Sequence, residues 1–336
     1  MTGSPFTFAD GERLIRFGEA VLGEAPALLT QRGFEGYALL TTERALGSAP
    51  ALAEAAGAVL HVPAGPVPEA AAAVRRAVSR RPLVALGGGR VVDAAKAIAG
   101  ADRLECAAIP TTLAGSPFTP FHRMPAGVEE WRLVRPSLVI SDPGLLASIP
   151  RPQLVATAMN ALAHAMESLY TPRANPIGHM AALRAAGLVA TELRREEPRH
   201  RDLALAALLA GYAVGAAGLA VHHAVSQTIV RTCDTPHAET NAVMLPHSAR
   251  FVAGRAPWEL GQFALALGAV QADAEEAGDL IAALSSLTGV TKLSALGVTG
   301  AMLGEVATLA AGHPALANTP GGVSRGDMED MLRRAL

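Results

Sequence analysis

The sequence predicts an α/β nucleotide-binding domain built on a parallel sheet, followed by an all-helical domain. Short apolar runs alternate with helical patterns up to about residue 150, and alanine- and leucine-rich helical patterns then continue to residue 336 without further strand signals. Strands that alternate with helices are typical of parallel sheets. A chain of this length is also large enough for two domains of ordinary size. We therefore expect domains at 1–150 and 151–336, with the ligand site in a cleft between them.

The expected elements follow from apolar periodicity. Five short apolar runs predict strands at 37–41, 59–63, 83–86, 107–109 and 138–141. Helical patterns in the first domain predict helices near 18–31, 44–56, 69–79 and 91–99. Turn-forming residues at 142–144 and 149–152 end this region. Helices are then predicted near 153–170, 177–195 and 201–229, with several more after them.

Composition excludes several classes of protein. Half of the residues are hydrophobic, largely alanine, yet no uninterrupted apolar run is long enough to span a bilayer. The first residues lack the pattern of a secretory leader. A net charge of −2 and 4% aromatic residues argue against nucleic-acid binding. Cys106 and Cys233 form no disulfide framework. We expect a cytoplasmic protein with a small-molecule substrate and with no nucleic-acid or membrane partner.

A triple glycine, Gly87, Gly88 and Gly89, lies between a predicted strand and a predicted helix. Glycines let the backbone turn sharply and approach a ligand, and the N-terminus of the following helix attracts a pyrophosphate. Asp93 is expected in the first turn of that helix, where it can bind loop amides, and Lys96 follows one turn later. The spacing differs from G-x-G-x-x-G, and a purely structural tight turn is the alternative. The strand before and the helix after favour nucleotide binding.

A second loop, residues 110–119, follows another predicted strand. It carries the hydroxyls of Thr111, Thr112, Ser116 and Thr119, which can hydrogen-bond to a phosphate, a ribose or a carboxamide. Taken alone, this loop would be an ordinary Ser/Thr turn that satisfies its own backbone.

Three histidines in the second domain stand in a pattern one carboxylate short of a metal site. Asn160 and His164 are four residues apart and share one helix face, while His223 belongs to a later helix and His237 to the loop beyond it. Three converging imidazoles would suit Zn²⁺ or Fe²⁺. Asn160 is a neutral amide where an aspartate would complete the cage, so we expect weak metal binding or none. His222 is expected to be a structural histidine.

Together these segments resemble the iron-containing alcohol dehydrogenase superfamily, and within it the maleylacetate reductases. Residues 87–96 are similar to the superfamily's glycine-rich signature, and 110–116 to its second nucleotide loop. Residues 114–120, 159–176 and 236–247 look more like maleylacetate reductases than like the alcohol dehydrogenases. The likeness runs from about residue 10 to the C-terminus. It implies a two-domain, dehydroquinate-synthase-like architecture, a homodimer, and an NAD(P)H site formed by residues 87–89 and 111–119.

The resemblance also assigns roles to single positions. The family's metal ligands correspond to position 160 and to His164, His223 and His237, and maleylacetate reductases resemble this chain in carrying Asn160. Thr42 occupies the place of the acidic residue that binds the ribose diol in NAD-preferring members, so the expected cofactor is either NADH or NADPH, and Arg44 could help to hold the phosphate of NADPH.

Two positions depart from the family's pattern. Gln227 replaces a further histidine, four residues after His223, that lies close to the nicotinamide. A glutamine can hydrogen-bond to a carbonyl but cannot relay a proton. The segment 120–135 is short, with Trp131 and Arg132 roughly where the family has a lysine near the cofactor.

The first functional hypothesis is an NAD(P)H-dependent reductase of maleylacetate or a related enoate or oxo acid. Hydride would add to a carbon–carbon double bond, and the enolate oxygen would need stabilisation. His237 or His164 would polarise the substrate, His223 would assist, and Asn160 would set an imidazole tautomer. An imidazole with a pKa near neutrality could be donor and proton source at once.

Two arginines are candidates for binding the carboxylates of a diacid substrate. Arg231, and less directly Arg81, could bind the substrate carboxylates.

The second functional hypothesis is a metal-dependent alcohol or aldehyde dehydrogenase. The third is a repurposed or non-catalytic family member, supported by Gln227 and the short loop.

Overall fold

A seven-stranded sheet forms the centre of the first part of the chain. The computed structural model describes residues 6–10 and 13–336, with side chains from Arg13 onward. These residues divide into two compact units, with the division between Ser148 and Ile149. The first unit is α/β and the second is helical, so the predicted fold class is confirmed.

The strands of the sheet occur in the spatial order β1-β2-β7-β6-β5-β3-β4. Their bounds are β1 Phe6–Asp10, β2 Arg13–Phe17, β3 Ala38–Thr41, β4 Ala58–His61, β5 Leu83–Gly87, β6 Cys106–Pro110 and β7 Leu138–Ser141. Strand β1 pairs antiparallel with β2, and the other six strands are parallel. Gly87 is in register with Pro110, so the loops that follow β5 and β6 leave the sheet side by side.

Helices cover both faces of this sheet. They are α1 Ala25–Gln31, α2 Glu43–Gly47, α3 Ala51–Glu54, α4 Val67–Val78 and α5 Gly89–Asp102. Along β5, Leu83 and Ala85 belong to one buried apolar cluster, whereas Val84 and Leu86 belong to the other. Burial on both faces explains why the parallel strands read as continuous apolar runs in the sequence.

The sequence predicted five of these strands to within about two residues and missed β1 and β2. The charged residues Arg13 and Arg16 interrupt the apolar alternation of β2, which obscures its strand pattern. The predicted helix 18–31 is a 3₁₀ turn, Val21–Glu24, followed by α1. The predicted helix 44–56 is two short helices, α2 and α3.

The second unit is a bundle of helices. Their bounds are α6 Arg151–Tyr170, α7 Pro176–Leu193, α8 His200–Ala217, α9 Val221–Cys233, α10 His237–Ala253, α11 Pro257–Leu267, α12 Ala274–Ser285, α13 Leu303–Ala311 and α14 Arg325–Ala335. Helix α6 is buried along most of its length and packs against α7, α8 and α10. Within the described ranges, no single helix is long and apolar enough to cross a membrane.

Two predictions for this unit were wrong. The single helix predicted at 201–229 is α8 and α9, separated at Gly218, whose φ of +93° favours glycine. The Ala217 carbonyl at the end of α8 accepts hydrogen bonds from the Thr171 hydroxyl (2.9 Å) and from Arg173 Nε (3.2 Å). These side chains satisfy the helix end and explain the break. His237 is the first residue of α10 rather than part of a loop.

Candidate active site

The glycine loop joins β5 to α5 in very little space. A Cβ on Gly87 would lie 2.8 Å from the Cβ of Val91, and one on Gly88 would lie 3.1 Å from Cγ2 of Thr112. Gly89 is similarly confined, with the nearest side-chain atom at 3.2 Å. The three glycines therefore allow the first turn of α5 and the second loop to approach each other closely.

Lys96 and Asp93 hold the second loop against α5. The Lys96 ammonium is fully buried and donates to Asp93 Oδ1 (3.1 Å) and to the carbonyls of Ser116 (3.0 Å) and Phe121 (2.6 Å). The Ser116 hydroxyl donates to the same Asp93 carboxylate. Burial lowers the pKa of Lys96, and the Asp93 charge opposes this shift. Asp93 is the fifth residue of α5, in its second turn rather than its first, and it binds Ser116 instead of glycine-loop amides.

The predicted threonines differ in what their hydroxyls contact. Thr111 donates its backbone N–H to the Gly87 carbonyl (3.0 Å), and its buried hydroxyl has no partner among the described residues. Thr112 faces Gly88, and Thr119 is buried at the end of the short turn 116–118. The Thr42 hydroxyl accepts a hydrogen bond from the backbone N–H three residues later (3.3 Å) and caps α2.

Arg13 is a loop-shaping residue that the sequence prediction missed. Its buried guanidinium donates to the carbonyls of Pro117 (2.8 Å) and Phe118 (3.2 Å). Arg13 and Lys96 thus both hold the second loop through its backbone carbonyls. An arginine in an unrecognised strand gave no sequence signal for this contact.

In the second unit, α6 and α9 bring the predicted histidines together. Asn160, His164 and Glu167 lie at i, i+4 and i+7 on α6 and share one face. The rings of His164 and His223 are stacked, with centroids 4.7 Å apart and an interplanar angle of 3°. His223 Nδ1 lies 2.6 Å from Glu167 Oε2, and the His223 backbone N–H donates to Glu167 Oε1 (3.1 Å). The sequence prediction did not include Glu167 among the site residues.

Three atoms of this cluster are buried without a partner among the described residues: Asn160 Oδ1, His164 Nδ1 and His223 Nε2. Burial lowers the pKa of His223 to about 3, with His237 and His313 adding to the shift. Burial and the neighbouring imidazoles also lower the pKa of His164 well below its ordinary value. Both rings are therefore neutral at pH 7, which differs from the expectation of an imidazole that titrates near neutrality.

His222 has the structural environment that the sequence predicted. Its Nε2 lies 2.9 Å from Asn241 Oδ1, and its Nδ1 lies 3.1 Å from the Ser248 hydroxyl. Burial lowers the pKa of His222 to about 3. The Asn241 amide also donates to the His237 carbonyl (2.7 Å), so this chain of contacts fixes the start of α10.

The remaining predicted residues lie on α9, at the start of α10 and beyond the end of α4. His237 is exposed at the start of α10, and Gln227 is half-buried one turn after His223 on α9. Arg231 follows on α9 and donates to the Thr228 hydroxyl (3.4 Å). Arg81 lies beyond the end of α4 and donates to the carbonyl of its last residue (3.3 Å), which makes it a helix-end residue.

His313 is a further imidazole that the sequence prediction missed. Its Nδ1 accepts a hydrogen bond from the Ala315 backbone N–H (3.2 Å), so the neutral ring carries its proton on Nε2. The short turn that it opens, Pro314–Asn318, packs on α9. Burial lowers the pKa of His313, Arg231 lowers it further, and Glu167 opposes the shift. No motif surrounds His313, so its proximity to α9 is visible only in the fold.

The cluster as arranged does not fit a resident metal ion. Among the residues that the structure describes, no three His, Cys, Asp or Glu side chains are placed to hold one. Imidazole lone pairs lie in the ring plane, and the parallel rings of His164 and His223 direct theirs along parallel planes rather than at one point. Asn160 adds no negative charge that would compensate a dication.

Comparison with known proteins agrees with the fold. Residues 16–123 match the family described as iron-containing alcohol dehydrogenase, and residues 154–336 match the Fe-containing alcohol dehydrogenase family, C-terminal. Maleylacetate reductase 1 of Rhodococcus opacus is 36% identical over 291 residues, which cover 83% of this chain and 79% of that protein.

Solved structures give the same relationship. The crystal structure of maleylacetate reductase from Rhizobium sp. strain MTP-10005 matches with a TM-score of 0.83 and 30% identity, covering 100% of this chain and 99% of that one. A sulfoacetaldehyde reductase from Bifidobacterium kashiwanohense, solved in complex with NAD⁺, shares the fold with a TM-score of 0.82 at 24% identity, covering 98% of each chain. The resemblance carried by the motifs is confirmed: this chain belongs to the Fe-containing alcohol dehydrogenase family of oxidoreductases and is similar to its maleylacetate reductases.

Proposed function

We propose that this protein is an NAD(P)H-dependent reductase of maleylacetate or of a related enoate or oxo acid. The observation that carries the proposal is a set of three buried polar atoms, on Asn160, His164 and His223, that have no hydrogen-bond partner within the described part of the chain. Leaving such atoms unsatisfied costs free energy, so they are suited to the polar groups of a ligand. The similarity to maleylacetate reductases over most of the chain supports a ligand with a ketone and carboxylates.

The reaction transfers a hydride from the reduced nicotinamide to one alkene carbon of the substrate. A C–H bond forms there, the π pair moves toward the ketone, and an enolate develops on its oxygen. A proton then bonds to the other alkene carbon and yields the saturated oxo acid, while the cofactor leaves oxidised. Donors that stabilise the enolate oxygen lower the barrier. The Asn160 amide N–H and the Nε2–H of His313 are hydrogen-bond donors of the kind that this oxygen needs.

Cofactor binding rests on the two loops of the first unit. The glycine loop leads into the N-terminus of α5, which favours an anion, and the Thr111 hydroxyl is buried without a partner among the described residues. Position 42 carries a threonine rather than a carboxylate that would bind a ribose diol, and Arg44 is exposed in the first turn of α2. We therefore propose that the protein accepts both NADH and NADPH.

The test is oxidation of each reduced nicotinamide by the purified protein with freshly prepared maleylacetate. We expect substrate-dependent oxidation, formation of 3-oxoadipate by mass spectrometry, and incorporation of deuterium from 4-deuterated cofactor. Simple aldehydes should react far more slowly. Cofactor binding without consumption of maleylacetate would contradict the proposed substrate. Failure to bind either nicotinamide in a fluorescence titration would instead favour a non-catalytic member of the family.

A further inference from the structure

We propose that His122, in its neutral form, is a positioning residue that closes the segment 122–134 onto α5 and releases it on protonation. This segment follows the second loop almost directly. His122 is buried, and its Nε2 accepts the backbone N–H of Val134 at 3.0 Å. The bond joins two residues twelve positions apart and makes the segment a compact loop with adjacent ends. Its effect on cofactor binding rests on the proposed function, whereas the closure itself does not.

The partner of Nε2 fixes the state of the ring. A backbone N–H can only donate a hydrogen bond, so Nε2 of His122 must be the unprotonated nitrogen. The proton of the neutral ring is then on Nδ1, which lies 3.1 Å from the Arg123 carbonyl. A protonated imidazole carries hydrogens on both nitrogens, and its Nε2 cannot accept the Val134 N–H. Protonation therefore removes the hydrogen bond that closes the segment.

The closed segment lies directly against α5. A Cβ on Gly100 would lie 2.5 Å from the Arg132 carbonyl oxygen and 3.4 Å from Cε1 of His122. Val134 also packs against the buried apolar cluster to which α5 contributes. The backbone of the segment and the His122 ring thus occupy the space beside the helix that a glycine leaves open. Loss of the closing hydrogen bond leaves the Val134 N–H unsatisfied at this contact and weakens it.

Lys96 connects the segment to the second loop. Its buried ammonium donates to the Ser116 carbonyl (3.0 Å) and to the carbonyl of Phe121 (2.6 Å), which immediately precedes His122. One cation therefore holds both stretches of backbone, and a segment that leaves α5 also loosens the loop that we propose for the cofactor. The apparent affinity for the cofactor then depends on the fraction of molecules in which the segment is closed.

The surroundings of His122 favour the neutral ring. Burial lowers the pKa of His122 and Lys96 lowers it further, whereas Asp93 and the backbone of Arg123 and Arg132 oppose the shift. The charged side chains of the segment itself are exposed. In the open segment, the solvated ring regains its ordinary pKa of about 6.5. The open state therefore gains a proton first, and the closed state loses stability as the pH falls below about 6.5.

Hydrogen exchange of the full chain without cofactor measures the closure. We expect the protection of the 122–134 amides, corrected for intrinsic exchange, to fall at least about threefold from pH 7.5 to pH 5.5 in the wild-type protein. In His122→Gln, a carbonyl oxygen at about the reach of Nε2 accepts the Val134 N–H at either pH, so protection should change less. Unchanged protection in the wild-type protein, or an equal fall in His122→Gln, would overturn the proposal.

Isothermal titration with NAD⁺ measures the consequence for the cofactor. The wild-type affinity should fall at least about threefold from pH 7.5 to pH 5.5, and the affinity of His122→Gln should change less. A segment that opens at acid pH without a change in affinity would overturn the link to the cofactor. A protein that does not bind NAD⁺ at either pH would contradict the proposed function, but the exchange result would stand, so the two failures are distinguishable.

His247→Gln is the matched control. His247 is also largely buried, and burial lowers its pKa to about 4, but it lies on α10 in the helical unit. Its replacement should leave the pH response of the 122–134 amides as large as in the wild-type protein. A response reduced to that of His122→Gln would show that protonation elsewhere governs the segment, which would overturn the role of His122.

Discussion

Three histidines of the second unit are distinguished by their partners rather than by their own side chains. His222 contacts Asn241 and Ser248 through its two nitrogens, whereas His223 faces a carboxylate with one nitrogen, and its other nitrogen has no partner in the described ranges. His313 accepts from a backbone N–H and must be a donor at Nε2. The sequence predicted that His164 and His223 would meet. It did not predict which ring nitrogens donate and which accept hydrogen bonds, because each role depends on a partner that folding brings close.

The role of His313 can be tested with a pair of substitutions. In His313→Asn, the amide oxygen can still accept the Ala315 N–H, because asparagine is a good cap, but the ring and its Nε2–H are lost. We expect the melting temperature to stay within about 2 °C, and kcat/KM with maleylacetate to fall at least about tenfold. His313→Ala should lose both stability and activity. Wild-type kcat/KM in His313→Asn would remove His313 from the reaction.

Asn160 is the position that decides the charge of the cluster. Asn160→Asp places an anion beside the neutral imidazoles, and Coulomb attraction should then favour a dication. We expect this variant to bind Zn²⁺ at least about tenfold more tightly than the wild-type protein, a gain of roughly 1.4 kcal/mol or more. Isothermal titration and elemental analysis measure the difference, with Asn160→Ala as the uncharged control. Equal affinities in all three proteins would contradict the prediction.

At the scale of elements, the strand–glycine loop–helix unit was the feature most accessible from the sequence. Its strand, its turn residues and its helix are contiguous, so local patterns suffice. The break between α8 and α9 was not accessible, because the apolar periodicity continues across Gly218. The contacts that end α8 come from Thr171 and Arg173, more than forty residues earlier.

Gly87→Ala tests how closely β5, its loop and α5 must approach. The new methyl group would lie 2.8 Å from the Cβ of Val91, which is buried. Overpacking of this kind costs about 1–3 kcal/mol, and displacement of the loop should weaken NADH binding at least about tenfold. Chemical denaturation and fluorescence titration give the two values.

Two further variants control this experiment. Gly47→Ala, at the end of α2, has nothing within 4 Å of the added carbon, so stability and NADH affinity should be unchanged or slightly improved. Adding Val91→Ala to Gly87→Ala should cost less than the sum of the two single changes, because the second change makes room for the first. Additive losses would show that the clash is not the cause.

For the whole molecule, composition and the loss of strand signals after residue 150 were enough to predict the two kinds of architecture. They could not predict which polar groups the helical unit buries. Helix α10 illustrates this: it carries Asn241 and Ser248 inside and His247 half-buried, although all three occur in an ordinary helical pattern. Burial of titratable groups links the stability of the fold to pH.

His247 makes the acid side of this dependence testable. Burial, together with Arg250 and Arg334, lowers the pKa of His247 to about 4 in the folded protein, against about 6.5 in an unfolded chain. As the pH falls below 6.5, the unfolded state gains a proton that the folded state does not, so the free energy of unfolding decreases until about pH 4. From pH 7.5 to pH 5 this one group should cost about 1–2 kcal/mol.

His247→Gln removes the titration but keeps a polar side chain of similar length. The wild-type protein should therefore lose about 1–2 kcal/mol more than the variant between pH 7.5 and pH 5. Urea unfolding at both pH values measures this difference of differences. The comparison also cancels the contribution of His222, because that residue is present in both proteins. Burial lowers the pKa of His222 as well. Parallel losses in the two proteins would mean that His247 protonates in the folded state near its ordinary pKa, because the end of α10 opens to water there.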